Sequence, residues 1–259
     1  MIQLPWLEPD TLDFPPLDTA LTDPDGLLAV GGDLRPERLI HAYCQGVFPW
    51  FDDEQPILWW SPNPRSVVEP ANVHVSRSMA KALRKTQFHV TCDTAFEQVV
   101  RQCAAPRAQA AGTWITDDML EAYSQLHERG VAHSIEVWNG ELLVGGLYGL
   151  ALGRVFFGES MFARATDASK IGFITLASYL QAWGFELIDC QVSSAHINSL
   201  GAFELPRNAF AKRLQQLTDP SGASYWPPNT SLLEIPRSSL GQTNSAISSR
   251  VNNTIANKA

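Results

Sequence analysis

The stretch HSIEVWNGELLVGGLYGLALGRVFFGESMF, residues 133–162, reads as three consecutive antiparallel strands. HSIEVW alternates, Asn139-Gly140 suits a type I′ hairpin turn, and ELLVGGLYGL forms the return strand. A second glycine-containing turn leads into GRVFFGESMF. Strict period-two alternation places Phe157, Glu159 and Met161 on one face of that third strand and Phe156, Gly158 and Ser160 on the other. Upstream, Thr116 can cap a helix that ends near Gly130, with Met119, Tyr123 and Leu126 facing inward. Downstream, SKIGFITLASYLQAW (169–183) is apolar all round and stops at Gly184, which marks a buried helix. Its Gly172 costs about 1 kcal/mol relative to alanine and implies a close approach by another element. ELIDCQV (186–192) then returns to the sheet as a strand, with Asp189 and Gln191 on one face and Cys190 on the other. A short helical stretch around His196 to Leu200 and a last helix after Pro206 complete the order.

Helix, three antiparallel strands, helix, strand is the order of an α+β, N-acetyltransferase-like domain: a mixed, mainly antiparallel sheet flanked by helices, in which two central strands splay apart. The strands that splay here carry Glu159 and Asp189, so both carboxylates are expected to line one opening. Such groups are either satisfied strand-end polar residues or the floor of a reaction site. Residues 1–65, rich in Pro, Trp and Gly, form a small N-terminal accessory domain. It holds one helix, with Asp33 as cap, Pro36 in the first turn and Gly46 as stop. Around that helix, FPWF (48–51) and LWWSPNPR (58–65) are expected as loops, because proline resists both helix and central strand. Residues 66–235 form the catalytic domain. Residues 236–259, polar and without aromatics, are expected to be a disordered tail.

With 259 residues, 45% of them hydrophobic, the chain has ample material for a core. No apolar run approaches the roughly 20 residues that cross a bilayer, and the first residues lack a signal-peptide pattern; cytoplasmic residence without membrane association is expected. The four cysteines (44, 92, 103, 190) are scattered and read as free thiols, and the dispersed histidines offer no metal spacing. No metal is expected. A net charge of −8, from 19 Lys+Arg against 27 Asp+Glu, argues against a general nucleic-acid binder. One basic island stands out. Between Pro70 and Cys92 there is no acid, and the amphipathic VSRSMAKALRKT gathers Arg77, Lys81, Arg84 and Lys85 opposite Val75, Met79 and Leu83. That face is a candidate phosphate contact or an ordinary solvated surface.

Eight segments together resemble the leucyl/phenylalanyl-tRNA-protein transferases: DPDGLLAVGGDL (23–34), GVFPWF (46–51), ILWWSPNPR (57–65), GTWIT (112–116), HSIEVW (133–138), LVGGLYG (143–149), FGESMF (157–162) and LIDCQV (187–192). They span most of the folded chain, and their order is specific where no single segment is. The resemblance implies transfer of Leu or Phe, and less readily Met, from aminoacyl-tRNA to the α-amino group of proteins beginning with Arg or Lys, marking them for degradation. It also implies the acetyltransferase-like fold with an N-terminal domain.

On that resemblance Asp189, Gln191 and Glu159 are the catalytic residues. The donor ester is already activated, so no cofactor is expected. The acceptor amine, of pKa about 7.7 to 8.0, is only partly unprotonated at neutral pH and gains from a base. Asp189 is the candidate base, Gln191 its orienting neighbour, and Glu159 a holder of the attacking ammonium or of the Arg/Lys side chain. Leu147, Met161, Phe173, Leu176, Leu180 and Ile188 are candidates for the aminoacyl side-chain pocket, each of them otherwise core packing. Trp114 and Trp50 are candidates to stack on the 3′-terminal adenosine, and Arg77, Lys81, Arg84 and Lys85 to meet tRNA phosphates. The alternatives are an acetyl-CoA-type N-acyltransferase, which lacks a [QR]-x-x-G-x-[GA] loop here, and a non-catalytic adaptor for basic N-termini. A Cys190-based hydrolase has little support, since no histidine is placed with that cysteine in the sequence.

Overall fold

A computed structural model describes residues 4–105, 115–228 and 230–237. A four-stranded sheet in the order β1-β2-β4-β3 comes first: β1 (Trp6–Leu7), β2 (Leu27–Gly31), β3 (Phe48–Pro49) and β4 (Leu58–Trp60), with α1 (Pro36–Gln45) between β2 and β3. LWW (58–60) is therefore a strand and not a loop. Its flanking prolines, Pro56 and Pro62, fall outside the paired residues, where a missing N–H costs nothing. Asp33 does not cap α1. Arg35 is the N-cap, while the Asp33 carboxylate accepts the Arg35 backbone N–H and pairs with buried Arg38.

The second sheet has eight strands in the order β11-β5-β10-β9-β8-β7-β6-β12. These are β5 (Arg65–Val68), β6 (His89–Cys92), β7 (Ala132–Asn139), β8 (Leu142–Leu152), β9 (Val155–Ala163), β10 (Leu187–Asp189), β11 (Phe203–Leu205) and β12 (Leu232–Leu233). All neighbours are antiparallel except β9 and β10. The expected mixed, mainly antiparallel α+β sheet is thus present. On one face α2 (Arg77–Lys85) and α5 (Ala168–Ala182) bury Met79, Leu83, Ile174 and Leu176 against Ile135, Val137, Leu147 and Phe156. On the other, α1, α3 (Phe96–Ala104), α4 (Asp117–Glu128) and α7 (Arg207–Leu217) share one continuous core with the small sheet and with Tyr148, Leu150 and Phe157. Helix α3 is not among the expected elements; it buries Phe96, Val99, Val100 and Cys103. Gly172 of α5 sits where an added Cβ would lie 3.0 Å from Val137, which is the close approach its presence implied.

Two details of β7–β9 differ from period-two expectation. The hairpin pairs Asn139 with Leu142, so the turn is Gly140-Glu141 with positive φ at Gly140 alone, fitting type II′ and not I′. Glycine occupies the one central position that a side chain would strain. More consequential, Tyr148 pairs with Ser160 while Gly149 pairs with Gly158, so Glu159 is the extra residue of a β-bulge. The bulge reverses the alternation: Phe157 joins the core under α1 and α4, while Met161 joins the core under α5. Glu159 and Met161 therefore do not share a face.

Candidate active site

Strand β10 is shorter than the alternation in ELIDCQV implies. It pairs Leu187, Ile188 and Asp189 with Val155, Phe156 and Phe157, and then Gln191 turns left-handed at φ 55°. A side chain in that conformation costs on the order of 1 kcal/mol, a local strain typical of functional sites. Strand β9 runs on to Ala163, so the two parallel strands part and open a cleft of about 480 Å³. Leu147, Phe156, Met161, Phe173 and Ile188 line it as an apolar hole, with Glu159, Cys190, Gln191 and His196 among its other walls. Leu147, Met161, Phe173 and Ile188 meet there as expected of pocket residues. Leu176 and Leu180 do not: both are fully buried in the α5 core. Phe156 and His196 are additional lining residues, and the left-handed turn explains why Cys190 and Gln191 both reach the cleft.

Asp189 is fully buried and stands behind the cleft wall. The Arg65 guanidinium grips it bidentately, Nε donating to Oδ1 at 2.7 Å and Nη2 to Oδ2 at 2.6 Å, while Nη1 donates to the Gly46 carbonyl at 3.1 Å. Phe48 and Phe210 flank the guanidinium, each ring centroid 4.8 Å from Cζ. Arg65 itself is 1% exposed. The remaining acceptor capacity of Asp189 goes to Gln191: its backbone N–H donates to Oδ1 at 3.1 Å and its Nε2 to Oδ2 at 3.5 Å. With Nε2 turned back to Asp189, the Gln191 amide oxygen is left for the cleft. The carboxylate thus holds Gln191 in its strained turn, and Arg65 balances the buried charge. Arg65 closes the WWSPNPR segment, and a buried arginine demands a buried acid; that is the signal that could have paired it with Asp189.

Glu159 is organised differently. Tyr43 donates to Oε1 at 2.7 Å, Tyr123 donates to Oε2 at 3.0 Å, and the two phenol oxygens lie 2.5 Å apart. Desolvation raises the Glu159 pKa to about 7, opposed by the two tyrosine hydrogen bonds and Arg65 and helped by the nearby Asp189 charge. Both phenols are themselves pushed up, first by burial and then by Glu159. Tyr123 is legible only as an inward-facing helix position, and Tyr43 only as part of the helix that Gly46 stops. Their hydroxyls, buried with the rings, needed a polar partner.

The other expected residues fall outside the cleft. Trp50 is 49% exposed, edge-on to Trp60 at 5.4 Å, and does not line the opening. Trp114 lies outside the described residues. Arg77, Lys81, Arg84 and Lys85 are all exposed on α2 and form no ion pair among the described residues. Cys190 shares the cleft with His196, contrary to the sequence expectation, but burial and the Asp189 charge hold its thiol protonated, so no thiolate nucleophile arises.

A parted parallel strand pair, with a carboxyl of pKa about 7 and a fixed amide beside an apolar hole, has the groups that acyl transfer needs. The profile described as leucyl/phenylalanyl-tRNA protein transferase matches residues 67–215, and that of the same family's N-terminal domain matches residues 32–63. The leucyl/phenylalanyl-tRNA–protein transferase of Stutzerimonas stutzeri is 58% identical over 223 residues, covering 86% of this chain and 99% of its own. The protein of that name from Ectopseudomonas mendocina is 60% identical over the same coverage, and that from Nitrosospira multiformis 59% identical over 83% of this chain and 93% of its own. The chain belongs to the leucyl/phenylalanyl-tRNA–protein transferase family, a family of aminoacyltransferases.

Proposed function

We propose that this chain transfers Leu or Phe, and less readily Met, from aminoacyl-tRNA to the α-amino group of proteins that begin with Arg or Lys, marking them for degradation in the cytoplasm. The observation that carries this reading is the cleft itself, with an apolar hole of side-chain size next to Glu159 and Gln191. The amine nitrogen attacks the ester carbonyl, the new C–N bond forms, and the C–O bond to the tRNA ribose breaks. The ribose oxygen leaves with a proton. Glu159, with its pKa of about 7, is matched to accept the proton that the incoming ammonium must lose. Gln191 orients the amine with its amide oxygen, and Asp189 acts through Gln191 as a positioning residue. Both Asp189 oxygens are occupied by Arg65, so it offers no free face to the amine. Trp50 and Trp114 remain the proposed stacking partners of the terminal adenosine. Residues 1–65 serve as the accessory domain, and the α2 basic face meets acceptor-stem phosphates.

Labelled leucyl-tRNA incubated with an Arg-starting peptide should give a leucylated peptide, and an Ala-starting peptide should not. Activity with acetyl-CoA in place of leucyl-tRNA, or binding without turnover, would reject the assignment. Tyr43→Phe removes a hydrogen bond that lowers the Glu159 pKa, so the acid limb of the kcat/KM–pH profile should move to higher pH. An unmoved limb would exclude Glu159 as the titrating group. Lys81→Glu with Arg84→Glu should raise KM for aminoacyl-tRNA by about tenfold or more at low salt and flatten its salt dependence. An unchanged salt slope would remove α2 from the tRNA surface.

A further inference from the structure

Beside the cleft lies a second hollow of about 300 Å³, walled by His74, Ser76, Lys170, Asn198 and Ser199 above Met79 and Leu200. We infer that this hollow is a phosphodiester site, holding a backbone phosphate of the single-stranded 3′ end of the donor between the active cleft and the basic helix. The inference rests on the proposed tRNA substrate and adds residues that the sequence motifs do not contain. Lys170 offers an ammonium and His74 an imidazole to phosphate oxygens, while the Asn198 amide meets Ser193 and the Ser76 and Ser199 hydroxyls meet Ser78 and the His196 carbonyl. Lys170 is half-buried and pairs with no carboxylate among the described residues. The nearest acid in sequence, Asp167, forms no ion pair there either.

Position supports the same assignment. Ser169 lines the cleft and its neighbour Lys170 lines the hollow; His196 lines the cleft, and Asn198 and Ser199 line the hollow. The first turn of α5 and the short helix α6 (Ala195–Asn198) therefore form a shared wall. Lys170 is close enough to act electrostatically across that wall: after desolvation, its charge lowers the pKa of the half-buried His196 imidazole. At its far side the hollow includes Ser76, the N-cap of α2, whose next residue Arg77 begins the exposed basic face. The cleft, the hollow and the basic face thus form one track. A polynucleotide lying on it puts its esterified ribose in the cleft, a phosphate at Lys170 and its duplex phosphates along α2.

Three donors of increasing length test this: leucyl-adenosine, which has no phosphodiester, the leucylated trinucleotide CCA, and full leucyl-tRNA. Lys170→Gln should leave KM for leucyl-adenosine unchanged and raise it about five- to tenfold for the trinucleotide and the tRNA. Lys170→Arg should restore most of that loss. Lys81→Gln, outside the hollow, should affect only the full tRNA. The salt dependence of trinucleotide use should fall by about one counterion in Lys170→Gln. Equal losses on all three donors would show a structural role for Lys170, and no loss on the trinucleotide would remove the phosphate from the hollow; either result overturns the inference. If the parent protein used none of these donors, the functional reading itself would fail. Displacement of a fluorescent CCA trinucleotide would then read the hollow directly, and equal binding by parent and Lys170→Gln would overturn the site.

Discussion

Arg65→Met is expected to lower stability by about 3–5 kcal/mol and to leave no measurable transfer. The substitution strands a fully buried carboxylate, and an uncompensated charge of that kind is among the costliest single defects a core can carry. The double variant Arg65→Met with Asp189→Leu removes the charge from both sides and should recover most of the lost stability in urea unfolding. Transfer should stay absent, because Gln191 then loses both hydrogen bonds that hold its left-handed turn. Asp189→Asn separates positioning from proton transfer. A positioning role predicts a loss of roughly 10²-fold with tRNA binding retained, whereas a full general-base role would allow up to about 10⁴-fold. Near-normal transfer by Asp189→Ala would sink both roles. A double variant as unstable as the single one would show that the charge is not the origin of the defect.

Glu159→Gln is expected to abolish transfer by at least 10²-fold while making the empty protein more stable at alkaline pH. The folded-state pKa of Glu159 is raised from 4.5 to about 7, so the fold favours the protonated carboxyl. Its stabilising contribution is complete below pH 4.5, declines as pH rises and is gone above pH 7. The shift corresponds to at most about 3 kcal/mol, and a glutamine escapes it because it never ionises. The variant and parent should therefore have similar Tm near pH 4.5 and diverge steadily to pH 8, the variant melting higher. Parallel Tm–pH curves would contradict the raised pKa. A variant that is stabilised but fully active would instead transfer the proton-accepting role elsewhere.

The hairpin, the third strand and the buried helix are legible because each spans enough residues for its period to dominate: eight in β7, eleven in β8, nine in β9 and fifteen in α5. Strands β5, β10 and β11 have only four, three and three residues, too few to show a period. Their existence follows from pairing partners far away in the chain. The bulge at Glu159 was hidden for a related reason. An inserted residue leaves no mark on a sequence whose flanks remain apolar, yet it sends Met161 to the opposite face from Phe157. GESMF and IDCQV do border one cleft. They do not reveal the partners of the two carboxylates, because those are Arg65, 124 residues from Asp189, and two tyrosines that read only as helix positions.

The Arg65 guanidinium is completed by groups from five separate stretches: Gly46 beyond α1, Phe48 in β3, its own β5, Asp189 in β10 and Phe210 in α7. In a chain made from its N-terminus, the arginine must wait for nearly the whole sequence before its last aromatic wall arrives. A polypeptide stopped before residue 207 would hold the cleft strands but lack the ring that encloses their counter-charge. Enclosure of the buried ion pair beside the cleft is thereby deferred until α7 has been made.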